Sequence, residues 1–106
     1  MKFNLSWVAI CCLAASIATP GFAQSAGADV FNSKCAPCHG ANGLAATPAG
    51  KALKAASFKS AAAVKASDAE LIATVHSGRN KMPSFQGKLS DDQIKAAIAY
   101  IRTLQK

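Results

Sequence analysis

Residues 35–39 read Cys35-Ala36-Pro37-Cys38-His39, and this stretch decides what fold the chain can adopt. Two thiols separated by two residues, with a histidine next to the second, are typical of three sites: a covalent haem, a redox dithiol and part of a zinc site. A redox dithiol of this kind lies in a βαβ unit, but no segment of this chain alternates as a strand would. A zinc site needs further Cys or His ligands, and beyond this motif only His76 is available after residue 23.

The haem interpretation explains both cysteines and the histidine of the motif, because each can form a bond to the haem. Cys35 and Cys38 can add across the two vinyl groups on one edge of the porphyrin, and the two intervening residues set the separation of the sulfurs. His39 then lies beneath the ring, where an imidazole nitrogen can reach the iron. We therefore predict one covalently attached haem c, with Cys35 and Cys38 as its thioether links and His39 as an axial iron ligand.

The composition indicates that the domain needs such a group in its core. The chain has 106 residues, and small domains bury too little surface to be comfortably stable alone. It is rich in alanine, and after residue 23 its aromatic residues are Phe31, Phe58, Phe85 and Tyr100. A flat apolar macrocycle would fill the space that these side chains leave.

The N-terminus predicts export. Residues 1–23 contain Lys2, an apolar stretch and an exit with small residues at Gly21 and Ala23, as in a secretory signal peptide. Cleavage after Ala23 removes Cys11 and Cys12 and leaves 24–106 as the monohaem domain. An uncleaved membrane anchor is the alternative, although the apolar run is shorter than a spanning helix requires. The predicted location is the periplasm, or the thylakoid lumen if the source is photosynthetic.

Hydrophobic periodicity and capping residues predict an all-α domain. Ser67 and Glu70 form a capping box that opens a helix ending at Gly78, and Ser90 with Gln93 repeats the pattern. The second of these helices has an apolar stripe with a 3.6-residue period. The stripe consists of Ile94, Ala97, Ile98, Ile101 and Leu104. A short first helix is expected over 27–34, and a helical turn or two over 51–56.

The second axial ligand is predicted to be Met82. A methionine is more often a core residue than a ligand, but Met82 precedes Pro83 in a loop between Gly78 and Ser90 that has no helix face to fill. His76, late in the preceding helix, is the alternative ligand, although a histidine there also suits the negative end of the helix.

These motifs resemble the class I c-type cytochromes, and most closely the short bacterial and cytochrome c6-like members with one haem. The resemblance covers about 26–104 and includes Gly27, Val30 and Phe31 before the motif, 82–90 around the methionine, and 97–101 near the end. It implies the small cytochrome c fold, in which helices wrap around one covalent haem. It also implies that Gly27 and Phe31 meet Ala97 and Tyr100. Pro48 follows His39 too closely to supply the carbonyl that mitochondrial members offer the histidine.

The resemblance implies a soluble carrier of single electrons rather than an enzyme, since two axial ligands leave no iron site for a substrate. The formal net charge is +7, which suits acidic redox protein partners such as a reductase and an oxidase or a reaction centre, although the lysines could equally serve solubility alone. Nucleic acid is disfavoured by export and by the few aromatic residues. We expect a monomer that does not span the membrane after cleavage. The alternatives are a haem enzyme or sensor with an open iron site, and a haem subunit of a membrane complex.

Overall fold

The computed structural model describes the backbone of residues 21–106 and the side chains from residue 25 onward. This part of the chain is helical, which confirms the predicted fold class. A π-helical segment, Phe31–Cys35, follows the first helix directly and leads into the second. The α-helices are α1 (Gly21–Val30), α2 (Ala36–His39), α3 (Pro48–Ala52), α4 (Ala61–Lys65), α5 (Asp68–Ser77) and α6 (Asp91–Leu104).

The two longest helices after the motif begin at the predicted caps. The Ser67 hydroxyl accepts from the Glu70 N–H at 3.1 Å, and the Glu70 carboxylate accepts from the Ser67 N–H at 2.9 Å. The Ser90–Gln93 pair repeats both contacts, at 3.1 and 2.8 Å. Each box satisfies two backbone groups that a helix start would otherwise leave unpaired, so α5 and α6 have fixed first residues.

Helices α1 and α6 form the main helix pair of the domain, and a glycine sets how closely they approach. A Cβ added at Gly27 would clash with the Ala96 carbonyl oxygen and would lie 2.8 Å from the Ala96 carbonyl carbon and 3.2 Å from Tyr100 Cβ. One turn later the Phe31 and Tyr100 rings pack with centroids 5.2 Å apart. These contacts confirm the predicted meeting of Gly27 and Phe31 with Tyr100, but the backbone nearest to Gly27 is that of Ala96 and not that of Ala97.

The core lies where α6 meets the π-helical segment and α5. Four of the five residues in the predicted stripe are buried, and Leu104 is half-buried. Phe31 and Ile94 are the largest fully buried side chains among the described residues. Cys35 belongs to the same buried cluster, so the cysteine–histidine motif begins inside the core rather than on its surface.

Four features of the fold differ from the sequence expectations or lie beyond them. The first helix already includes Gly21, the first described residue, whereas it was expected from residue 27, and it passes into a π-helical turn. Helix α3 starts at Pro48, before the expected turn at 51–56. Residues 1–20, most of the predicted signal peptide, lie outside the described residues. In residues 21–106 extended pairing is limited to two isolated bridges, Arg79 with Met82 and Gln86 with Leu89.

Candidate haem-binding site

The attachment motif spans the end of the π-helical segment and the whole of α2. Cys35 is buried, Cys38 and His39 are half-buried, and no disulfide joins the two cysteines. Burial raises the pKa of the Cys35 thiol to about 11. A redox-active dithiol depends on a lowered thiol pKa. The environment of Cys35 therefore argues against the redox-dithiol interpretation.

The last turn of α2 is held by one hydroxyl and two backbone donors. The Thr47 hydroxyl shares its single proton between the carbonyls of Pro37 and Cys38, each at 3.0 Å, while it accepts from the Gly50 N–H at 2.9 Å. The Ala36 and His39 carbonyls accept from the Gly40 and Ala45 N–H groups at 2.7 and 2.8 Å. All four carbonyls that a helix end leaves open are thus satisfied, so the backbone beneath Cys38 and His39 is fixed.

The orientation of the His39 ring follows from a hydrogen bond to a backbone carbonyl. His39 Nδ1 lies 3.0 Å from the Ala56 oxygen, and because a carbonyl can only accept, Nδ1 carries the proton. The lone pair is therefore on Nε2, the nitrogen left free for a metal. Burial lowers the pKa of the imidazole, and the hydrogen bond to Ala56 partly offsets this effect. The ring is accordingly held neutral, which is the form that binds iron.

Phe58 supports the same ring from its face. The Phe58 and His39 rings stack with centroids 4.5 Å apart and planes inclined by 21°. Phe58 is itself held by its N–H, which donates to the Gly43 carbonyl at 2.9 Å. A Cβ at Gly43 would lie 2.6 Å from the Phe58 ring, so only glycine permits this approach. His39 is thus positioned by an edge contact and a face contact from one segment, 56–58.

Met82 lies in a tight turn that follows α5. The backbones of Arg79 and Met82 exchange two hydrogen bonds, at 3.1 and 2.9 Å. Gly78 ends α5 with a φ of +75°, and a Cβ there would lie 2.8 Å from both the Met82 oxygen and the Ser84 nitrogen. The Met82 side chain is half-buried and packs against the core cluster. The turn therefore places the Met82 side chain against the core, although Met82 is not part of a helix.

The segment after Met82 is tied to the end of α5. The Ser84 hydroxyl donates to the His76 carbonyl at 2.7 Å, and the Phe85 N–H donates to the Val75 carbonyl at 3.1 Å. Phe85 is buried in the core cluster. The His76 side chain, the alternative axial ligand, is half-buried at the end of α5. Through these bonds the loop that carries Met82 is closed at both ends.

The donor set fits a covalent haem with two axial ligands. Two cysteine sulfurs that form no disulfide and an imidazole with its Nε2 lone pair available come from one continuous turn, and a soft thioether comes from a separate loop. His39 reaches the core cluster through Phe58, and Met82 reaches it directly. The structure thus brings both candidates to one core, and their binding to opposite faces of a porphyrin remains a prediction. Over residues 21–106 no group of three His, Cys, Asp or Glu side chains could hold a bare metal ion.

Three residues of the site were missed by the sequence analysis. Thr47 had a readable signal, since a threonine followed by Pro48 is typical of a helix N-cap with proline at the first position. Phe58 was assigned only to the core. The Ala56 carbonyl had no signal at all, because any residue could supply it.

Comparison with known proteins places the chain in a family. The family model described as "Cytochrome C oxidase, cbb3-type, subunit III" matches residues 22–101. Cytochrome c6 of Leptolyngbya boryana is 39% identical over 79 residues, which cover 73% of this chain and 87% of that protein. Cytochrome c6 of a Nostoc species is 34% identical over 101 residues, covering 93% and 88%.

A solved structure agrees with these relatives. The c-type cytochrome KustC0563 superimposes with a TM-score of 0.68 at 30% identity, covering 76% of this chain and 98% of that one. The chain therefore belongs to the class I c-type cytochromes, is similar to cytochrome c6, and carries one covalently bound haem c.

Proposed function

We propose that this protein carries single electrons on a haem attached through Cys35 and Cys38, with His39 Nε2 and Met82 Sδ as the axial ligands. The family supports the electron-carrier function, and the geometry supports the ligand assignment. The observation that carries the assignment is the 3.0 Å contact between His39 Nδ1 and the Ala56 carbonyl, which leaves Nε2 available on the residue that follows Cys38.

A bound haem supplies an iron that exchanges one electron without making or breaking a bond in the protein. Met82 favours the ferrous form because a thioether is a soft ligand, and the apolar packing around it disfavours additional positive charge. The hydrogen bond from His39 to Ala56 acts in the opposite direction, since it makes the imidazole a stronger donor and favours ferric iron. The reduction potential is the balance of these two effects.

With both axial positions filled, the iron has no site for oxygen, peroxide or an organic substrate, so we propose a carrier and not an enzyme. The alternative with an open iron predicts rapid binding of carbon monoxide by the reduced protein. The Met82→Ala variant provides the matched comparison, because it should bind carbon monoxide rapidly while the wild type does not. Equally rapid binding by both proteins would favour the enzyme or sensor.

The choice of ligand is tested by optical spectroscopy of the same variants. We expect Met82→Ala to lose the weak sulfur-to-iron band of the ferric protein, and His76→Ala, the control, to retain it. A ferric low-spin spectrum that survives Met82→Ala but changes in His76→Ala would transfer the ligand role to His76.

We propose that the partners present acidic surfaces. The stretch 30–67, which includes the attachment motif, contains lysines and no acidic residue. All of its lysines are exposed: Lys34, Lys51, Lys54, Lys59 and Lys65. Leu44 and Leu53, exposed to 42% and 41%, add apolar surface to the loop that packs on α2. Such a surface suits a partner with carboxylates around an apolar centre.

Salt tests this docking surface. Because exposed charges are screened within about 10 Å at 0.1 M salt, the electron-transfer rate with an acidic redox protein should fall as ionic strength rises. The double variant Lys51→Gln, Lys54→Gln should have a lower rate at low salt and a shallower dependence on salt, and Lys95→Gln on α6 is the control. A rate independent of ionic strength would mean that the lysines serve solubility alone.

We also propose export to the periplasm, or to the thylakoid lumen in a photosynthetic source, with 1–23 as the signal peptide and 24–106 as a monomeric domain. Over residues 21–106 no helix combines the length and the apolar character that a bilayer-spanning segment requires. N-terminal sequencing of the exported protein should begin at Gln24. A product that begins at Met1 and sediments with membranes would support the anchor.

A further inference from the structure

Two side chains near the end of α6 donate hydrogen bonds to backbone carbonyls of the segment that precedes α5. The Arg102 guanidinium donates to the Ala66 carbonyl and, at 3.3 Å, to the Ala63 carbonyl. It also donates to Gln105 Oε1 at 2.9 Å, and the Gln105 amide donates to the Phe58 carbonyl at 3.0 Å. We refer to Arg102 and Gln105 together as the α6 clamp. One guanidinium and one amide thus hold three carbonyls distributed over 58–66.

Apolar packing holds only the start of this segment, where Phe58 packs on the core cluster with its ring centroid 6.0 Å from that of Phe31. Every residue of α4 is exposed or half-buried, and Val64 is 51% exposed. Arg102 also forms an ion pair with Asp68 at 2.9 Å, but the Asp68 side chain is 67% exposed. An exposed pair of this kind contributes little to stability. The hydrogen bonds from Arg102 to the carbonyls are therefore the stronger part of the attachment.

The segment held by the clamp is continuous with the residues that position His39. Its first clamped residue, Phe58, stacks on the His39 ring, and Ala56, two residues earlier, accepts the hydrogen bond from His39 Nδ1. Phe58 is thus the single residue that links the Gln105 amide, through its carbonyl, to the imidazole, through its ring. A shift of this segment away from α6 would lengthen the contact between Nδ1 and the carbonyl and tilt the stacked ring.

We propose that Arg102 and Gln105 are positioning residues for His39, and that they lower the reduction potential by keeping the Ala56 carbonyl on Nδ1. This proposal rests on the proposed function, in which His39 binds the iron. A firmly held carbonyl increases the basicity of the imidazole and stabilises ferric iron. Loosening the clamp therefore favours the reduced protein.

The sign of the effect separates positioning from charge. Removing a positive charge by itself stabilises ferric iron, so Lys95→Met, an exposed site on α6, should leave the potential unchanged or lower it. Arg102→Met removes the same charge but also the clamp. We expect it to shift the electron-exchange equilibrium with a reference couple about threefold toward the reduced protein, or about 28 mV at 59 mV per tenfold change.

A second readout reports on the hydrogen bond directly. In the reduced protein, the solvent exchange of the His39 Nδ1 proton, followed by NMR, should become about tenfold faster in Arg102→Met and in Gln105→Ala. Lys95→Met should leave it unchanged, and Asp68→Asn should change it little, because the carbonyl contacts remain. The proposal is overturned if Arg102→Met has the same reduction potential as Lys95→Met and the same His39 Nδ1 proton exchange as the wild type.

The conservative variants keep the test decisive if Arg102→Met does not fold. Arg102→Lys retains the charge but cannot reach two carbonyls at once, so it should reproduce the upward shift in part, and Gln105→Ala should do so without any change in charge. If both match the wild type in potential and proton exchange, the clamp does not position His39. Failure of the proposed function looks different, because His39 would then not bind the iron and His39→Ala would keep the wild-type optical spectrum.

Discussion

Replacing Thr47 with valine removes a hydroxyl from the centre of the site while keeping the shape of the side chain. The hydroxyl caps α3 by accepting from Gly50, and it donates to the carbonyls of Pro37 and Cys38. Loss of the cap costs about 1 kcal/mol. The half-buried carbonyl of Cys38, left without its donor, costs about another 1 kcal/mol. We therefore expect Thr47→Val to lower the free energy of unfolding by about 2 kcal/mol.

Guanidinium unfolding of the haem-loaded protein, followed by far-UV circular dichroism, measures this loss. The slope of the unfolding free energy against guanidinium concentration should not change. In a thermal melt of the same variant, a loss of about 2 kcal/mol should lower Tm by about 8–16 °C for a domain of this size. Thr47→Ser, which retains the hydroxyl, should recover most of the stability. Thr103→Val removes a hydroxyl that bonds only within α6, and it should cost less than about 0.5 kcal/mol. Thr47→Val with the stability of the wild type would refute the role given to this hydroxyl.

Three further predictions concern the fold. Gly27→Ala should destabilise the protein by about 2 kcal/mol, because the clash with the Ala96 carbonyl outweighs the gain of about 1 kcal/mol in helix propensity. Ser25→Ala, at an exposed site on the same helix, is the control. A Gly27→Ala protein that is more stable than the wild type would contradict the close approach of the two helices. Ser90→Ala removes the capping box of α6 and should lower the free energy of unfolding, measured by chemical denaturation, by about 1 kcal/mol. An unchanged free energy of unfolding would mean that the Ser90–Gln93 box does not stabilise the helix. The chain matured without haem should lack a cooperative thermal transition in calorimetry, and a sharp, native-like transition would show that the macrocycle is not needed for the core.

The elements that could be predicted from the sequence are those whose signals are local. The capping boxes at Ser67 and Ser90 lie within four residues of sequence, and they fix the starts of α5 and α6 wherever those helices pack. The apolar stripe of α6 has the period of a helix, so its buried face was also predictable. The cysteine–histidine motif carries its chemistry in three side chains and needs no tertiary information.

The rest depends on tertiary placement that no local pattern encodes. The partner of His39 is a backbone carbonyl 17 residues later, at Ala56, and a carbonyl has no residue type to recognise. No feature of the sequence distinguishes Arg102 from any other basic residue near a helix end, and its contacts with Ala63 and Ala66 depend on the fold. The π-helical turn at Phe31–Cys35 follows an ordinary helical pattern, and the sequence offered no reason to expect it there.

The central claim is that the polypeptide itself holds the haem through Cys35 and Cys38. Intact mass spectrometry of the exported protein, denatured in acid and organic solvent, measures this directly. We predict a single species with the mass of the mature chain plus one haem, and digestion should place the added mass on the peptide that contains Cys35–His39. A chain that loses its haem on denaturation, or that carries these two cysteines as free thiols or as a disulfide, would contradict the account.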